Sequence, residues 1–202
     1  MGRALYSMLE WITRFAYINL LWVLFTLAGG IILGLFPAIT AIFSVIRQWL
    51  NGNSDLPVFH TYWNYYRSEF WKSNLLGLPV YLVSFVFLFN VFFLYANIGE
   101  LLAWTSAPLL AGILLFLFYL FYLFPAYVHF DLNILQIMKN ALLIMLISPV
   151  NTFLMVISLS AFTILVYVIP PLGFIFGASF YSFITLWFAL HAFRKVQKKQ
   201  SS

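Results

Sequence analysis

The sequence predicts an all-α, polytopic transmembrane helix bundle, and three observations carry that prediction. Of the 202 residues, 64 % are hydrophobic and 7 % are charged, whereas soluble domains are about 45–50 % apolar and about 25 % charged. Mean hydropathy is +1.00. Several uncharged runs reach the length of about 20 residues that a helix needs to cross a ~30 Å hydrocarbon core. A soluble chain of this size has too little interior to hide so much apolar surface. Lipid must cover the rest, and residues 1–202 read as a single integral membrane domain.

Five runs qualify as spans: 15–36, 74–96, 107–128, 141–168 and 171–193. A sixth stretch, "PAITAIFSVI" at 37–46, is apolar but short and ends at Arg47. Basic residues flank spans on the cytoplasmic side, and they decide its role. Arg47, Arg67 and Lys72 fall in the 47–72 segment, Lys139 in the 129–140 loop, and Arg194, Lys195, Lys198 and Lys199 in the tail. The 97–106 connection carries Glu100 and no Lys or Arg, and "IPP" between the last two runs carries no basic residue either. If the chain turns at "GLFPA" and returns through 37–50, Arg3 and Arg14 join the other basic residues inside. The returning leg of 14–16 residues would span only ~21–24 Å, short enough to need burial by its neighbours. Six passes with both termini cytoplasmic are therefore favoured. Five passes remain possible, with 37–50 as an interfacial continuation.

The net charge of +5 is explained by this topology, and no contiguous basic patch is available to neutralise nucleic-acid phosphates. The bilayer is the partner that composition demands. There is no cysteine, which removes disulfides, thiolate metal sites and a cysteine nucleophile. Met-Gly opens the chain, but Tyr6 stands where a myristoylation signal needs Ser or Thr.

Between helices already in lipid, close packing and polar contacts matter more than apolar burial. Gly30 and Gly34 form one G-x-x-x-G, and Gly173 and Gly177 another. Each could serve packing within the chain or a dimer face. Pro79, Pro108, Pro125 and Pro149 mark kinks or first helical turns. Asn90 stands within "FLFNVFFL", and Asn151 with Thr152 follows Pro149. These are candidate intramembrane polar contacts, to a neighbouring helix or a freed carbonyl, with a wet, substrate-lining role as the alternative.

Little in the sequence points to catalysis. His60, His129 and His191 are far apart and fit no metal-ligand spacing. His129 and Asp131 form a lone H-x-D, and two ligands do not hold a catalytic metal, so an interfacial polar cluster is the better reading. Nucleophile-elbow and phosphate-loop patterns are missing, and the five acids are not closely paired. The expectation is a non-enzyme without cofactor or metal.

The segment "HTYWNYYRSEFWKSN" at 60–74 gathers rings and charges. At 100° per residue Phe59, Trp63, Tyr66 and Phe70 fall within ~60° of one another, with Tyr62 at the flank. Ser54 or Asp55 can supply the N-cap, with Pro57 in the first turn. Arg67 sits four residues from both Trp63 and Trp71, within reach of a cation–π contact. The spacing predicts an amphipathic helix over about 57–72, resting on the membrane interface where such rings prefer to lie. It could simply anchor a loop, or offer Trp63, Tyr66, Arg67, Phe70 and Trp71 to a partner.

The runs "NLLWVLF" at 19–25, "FPAITAIFSVIRQWLNG" at 36–52 and "FHTYWNYYRSEFWKSNLLG" at 59–77 resemble the YesL-like family of bacterial membrane proteins. The shared pattern is an Asn-led apolar span, a Pro-Ala turn, a short helix ending in Arg, and a loop helix of spaced aromatics. The likeness covers roughly 15–80, and Phe36 stands where the family more often has Gly. Family members are of unknown biochemical function, and many are encoded beside carbohydrate uptake systems of the ABC type. The resemblance thus implies an accessory or regulatory component of oligosaccharide import in the cytoplasmic membrane, working with ABC sugar-transporter subunits. The E-A-A…G loop of ABC permeases is absent, so the permease itself is not implied. A small stand-alone transporter or channel is the alternative.

Overall fold

The computed structural model describes residues 2–96 and 101–200, with side chains over 5–96 and 106–196. Eight helices and no strand occur among them: α1 (Gly2–Ala28), α2 (Ile32–Leu50), α3 (Val58–Ser68), α4 (Phe70–Ala96), α5 (Leu101–His129), α6 (Ile134–Ile147), α7 (Pro149–Val168) and α8 (Pro170–Gln200). Glu100 and the side chains of Arg3, Lys198 and Lys199 lie outside the described residues. Six helices, α1, α2, α4, α5, α7 and α8, are long and apolar enough to cross a membrane. The chain is a multi-pass helical bundle.

The segment that looked too short to span is its centre. Two-thirds of the apolar window of α2 is buried, against less than a third for any other candidate span. Small residues make this possible. Gly34, Ala38, Ala41 and Ser44 leave room for close approach, and α2 packs against α1, α3, α4, α5 and α8. Ile42, Val45 and Ile46 are completely enclosed.

The α1–α2 turn falls earlier than "GLFPA". Ile31 N–H donates to Thr26 O at 2.9 Å and Gly30 N–H to Leu27 O at 3.0 Å, the paired bonds of a Schellman motif with glycine at its left-handed position. Gly30 takes φ +75° there, and Ile31 follows at φ +62°. The turn lengthens the returning helix to 19 residues, roughly 28 Å. Pro37, expected in the turn, is inside α2.

Gly30 and Gly34 therefore do not share a helix face. Gly34 instead meets Gly29 across the turn: a Cβ on Gly29 would lie 2.3 Å from Gly34 Cα and 2.6 Å from the Tyr66 hydroxyl. The second motif is split as well, since Gly173 is pressed by Val166 while Gly177 has open space beside it.

The 141–168 run is two helices rather than one span. Ser148 leaves helical geometry at φ −118°, ψ 55° and Pro149 opens α7, as expected of a residue before proline and of proline at a first helical position. Lys139, assigned to a loop, stands within α6. Ile169 and Pro170 repeat the device between α7 and α8.

Glycine substitutions should rank accordingly. Gly29→Ala forces backbone against backbone and should lower stability by about 1–3 kcal/mol, whereas Gly177→Ala should be nearly silent. Thermal unfolding of the detergent-solubilised variants measures the order.

Candidate functional site

The aromatic segment is not one continuous helix over 57–72. α3 covers Val58–Ser68 only. Glu69 breaks it at φ −95°, ψ 3°, and Phe70 already belongs to α4. Pro57 itself occupies the N-cap without a side-chain bond. Ser54 and Asp55 stay in the preceding turn, where Ser54 O accepts from Arg14 at 2.5 Å. Tyr62, placed at the flank by helical projection, is fully buried, while Phe59 is 52 % exposed.

The tyrosines act as pins. Tyr62 Oη donates to Ala38 O in α2 at 2.9 Å, and Tyr66 Oη donates to Phe25 O in α1 at 3.1 Å. The Phe25 ring packs against Tyr62 at 5.4 Å, Trp63 at 5.4 Å and Tyr66 at 4.9 Å. Burial, then the neighbouring Tyr66, pushes the Tyr62 phenol far above its ordinary range, so it stays a donor at working pH. Burial raises Tyr66 too. Of the proposed contact residues, Trp63, Arg67 and Trp71 are exposed, Phe70 is half-buried, and Tyr66 is buried. Arg67 makes no cation–π contact with either Trp among the described residues. Those contacts belong to Arg14 over Trp11 at 5.3 Å and Lys72 over Tyr127 at 5.7 Å.

The inner side of the same segment faces a polar cleft that the sequence reading did not assemble. Its volume is about 260 Å³, and α2, the α3–α4 junction and the end of α5 line it. Arg47 donates to Val128 O, one of the last α5 carbonyls that no helical N–H can reach, where a cation also suits the helix dipole. Tyr127 Oη donates to Glu69 Oε2 at 2.6 Å. Gln48 Nε2 donates to Tyr65 Oη at 2.9 Å and its oxygen accepts from Asn53 Nδ2 at 3.1 Å, which fixes the amide. His129, flanked by Phe130 and Phe193 with ring centroids at 4.8 and 5.1 Å, joins Asp131 on the wall. Thr40 Oγ1 and His129 Nδ1 are buried with no hydrogen-bond partner among the described residues. The H-x-D pair was the one sequence signal of this site; Arg47 and Lys72 were legible only as topology markers.

The other polar candidates separate. Asn90 is exposed on α4, and among the described residues its Nδ2 bonds Val86 O of its own helix, at 2.8 Å. Asn151 is half-buried. Thr152 Oγ1 lies 2.9 Å from Tyr122 Oη and donates to Ser148 O at 3.1 Å, joining α5 to α7. Two amides that were not singled out carry more. Asn19 Nδ2 donates to Phe174 O at 2.7 Å, tying α1 to α8. Asn74 Nδ2 donates to Leu33 O at 2.9 Å, the carbonyl whose helical partner would have been the missing N–H of Pro37. Among the described residues, no three His, Asp or Glu side chains converge as metal ligands.

Taken together, the helices and the cleft define a multi-pass helical membrane protein with a charged pocket at one end of the bundle. The chain belongs to the YesL-like family: residues 15–91 match the family described as "Protein of unknown function, DUF624". It is similar to the uncharacterized protein YesV of Bacillus subtilis (strain 168), 36 % identical over 195 residues that cover 96 % of this chain and 93 % of that protein. Uncharacterized protein YesL of the same organism is 33 % identical over 197 residues, covering 94 % and 90 % of the two chains. Uncharacterized protein YteU is 41 % identical over 124 residues, covering 60 % and 54 %. No solved structure matches.

The two amides of α4 should behave oppositely. Asn74→Leu leaves the Leu33 carbonyl without its donor and should cost about 1–2 kcal/mol. Asn90→Leu should leave stability unchanged. Thermal unfolding in one detergent compares them directly.

Proposed function

We propose that this chain is a non-catalytic protein of the bacterial cytoplasmic membrane that serves as an accessory or regulatory component of ABC-type oligosaccharide uptake. The observation that carries the reading is the strip formed by Trp63, Arg67 and Trp71. These side chains are exposed on a segment whose other face is locked to α1 and α2 through Tyr66 and Tyr62. Trp and Arg are the residue types that concentrate binding energy at protein interfaces, and a preformed surface loses little entropy on docking. The partner class comes from the family resemblance, whose members are often encoded beside such importers.

Orientation follows from charge. Arg47 reaches the end of α5 and Lys72 the Tyr127 ring, so two basic segments far apart in sequence meet at one end of the bundle. That supports a cytoplasmic location for this end and, with six passes, for both termini. The alternative of a stand-alone transporter or channel rests on Asn90, Asn151 and the kinked spans. Exposed Asn90, bonded to Val86 O of its own helix, gives it less support than the strip gives the accessory role.

Affinity purification of the intact protein from native membranes should recover permease or ATPase subunits. Recovery should fall about tenfold, equivalent to ~1.4 kcal/mol, when Trp63→Ala is combined with Arg67→Ala. Recovery of no transporter subunit under mild solubilisation overturns the reading. The cysteine-free sequence permits a separate test of sidedness. A membrane-impermeant maleimide added to whole cells should label Glu100→Cys and spare Asn53→Cys; the reverse pattern inverts the topology.

A further inference from the structure

We propose that the polar cleft binds a small, neutral, polyhydroxylated molecule of monosaccharide size. The inference rests on the cleft and stands whether or not the protein has a transporter partner.

Size comes first. The cavity of about 260 Å³ equals roughly nine waters at ~30 Å³ each. That suits a ligand of about a dozen non-hydrogen atoms and is smaller than a drug-sized site of about 300–1,000 Å³. Access comes second. Lys72 and Asp131 are exposed at the rim, so the mouth opens to a polar medium and not to hydrocarbon.

Charge then selects the class. Two permanent cations, Arg47 and Lys72, and two carboxylates, Glu69 and Asp131, share the lining, and their formal charges cancel. A phosphate or carboxylate entering here meets Glu69 and Asp131 as well as the cations, and an amine meets Arg47 and Lys72 as well as the carboxylates. Like-charge contacts of this kind are unfavourable at close range. A hydroxyl both donates and accepts, so it is served by either sign, and bonds to charged partners are the stronger kind.

Two further features point to an occupant. Thr40, only 1 % exposed, borders the cavity, and its Oγ1, like His129 Nδ1, has no hydrogen-bond partner among the described residues. Buried polar atoms are normally bonded. Neither atom is open to the cavity as it stands, but both belong to residues of its wall, so a side-chain rotation on binding would let a ligand hydroxyl satisfy each. The rings of Tyr65, Tyr127 and Phe130 also border the space and offer apolar faces to the C–H side of such a molecule.

Purified full-length protein in detergent should bind at least one of D-glucose, D-galactose and D-mannose saturably by titration calorimetry, in preference to inorganic phosphate and glycine. Thr40→Val, which keeps the shape and removes the hydroxyl, should weaken that binding about tenfold. Glu69→Gln, which can still accept from Tyr127, should do the same, and Asn90→Leu should not. A glycolipid headgroup presents the same hydroxyls. Repeating the titration in phosphatidylcholine nanodiscs with and without a glycosyl diacylglycerol separates the sources: competition marks the headgroup, and its absence the free sugar. Preference for phosphate or glycine overturns the proposal. So does sugar binding indifferent to Thr40→Val, or no saturable sugar binding by a protein that still unfolds cooperatively.

Discussion

A helix enclosed by protein and lipid has no water to bond its stray carbonyls, and α2 contains the proline that creates one. Pro37 withholds the amide that Leu33 O would have received, and Asn74 from α4 supplies the replacement. Tyr81 Oη serves the neighbouring Ile32 O at 2.6 Å, and Tyr62 reaches Ala38 O one turn further on. In a medium where an unmet backbone group costs several kcal/mol, these bonds do more than decorate the packing. They set which helices can lie beside α2 and at what height. The central position of α2 is thus tied to polar side chains that leave their own helices to serve it.

Much of the fold was legible because lipid imposes a length and composition rule that short-range sequence obeys. The runs around 74–96 and 107–128 match α4 and α5 closely, and the distribution of charge favoured a crossing near 37–50 over an interfacial continuation. Boundaries were harder. "AGGI" closes α1 through a left-handed glycine, while the more conspicuous proline at 37 is carried inside the helix because another segment makes good its loss. The prolines at 79, 108 and 125 also stay inside helices, whereas those at 149 and 170 open α7 and α8.

The site was legible in kind but not in place. Helical projection set the rings of 59–70 on one face, but the helix breaks at Glu69, and Tyr62 and Tyr66 are buried while Phe59 is exposed. Periodicity does not say whether a ring stripe faces lipid or protein. Asn74 and Asn90 have the same chemistry and lie on the same helix; only the proximity of a proline-freed carbonyl distinguishes them. The cleft required three stretches, 40–48, 65–72 and 127–131, to converge. Their charges already had an adequate explanation as markers of membrane sidedness. A residue that serves two purposes shows only the commoner one in sequence.

The bond from Asn19 to Phe174 has a consequence for how the protein is made. It joins the first helix to the last, and α8 also packs on α2. During synthesis the N-terminal hairpin therefore enters the bilayer with the Asn19 amide unmatched and α2 open to lipid on the side that α8 will later cover. Until the final span arrives, the early hairpin is an unfinished surface with a polar group at its centre, the kind of feature that membrane quality-control proteases and insertion chaperones recognise. The last span to be made is thus the one that satisfies the first.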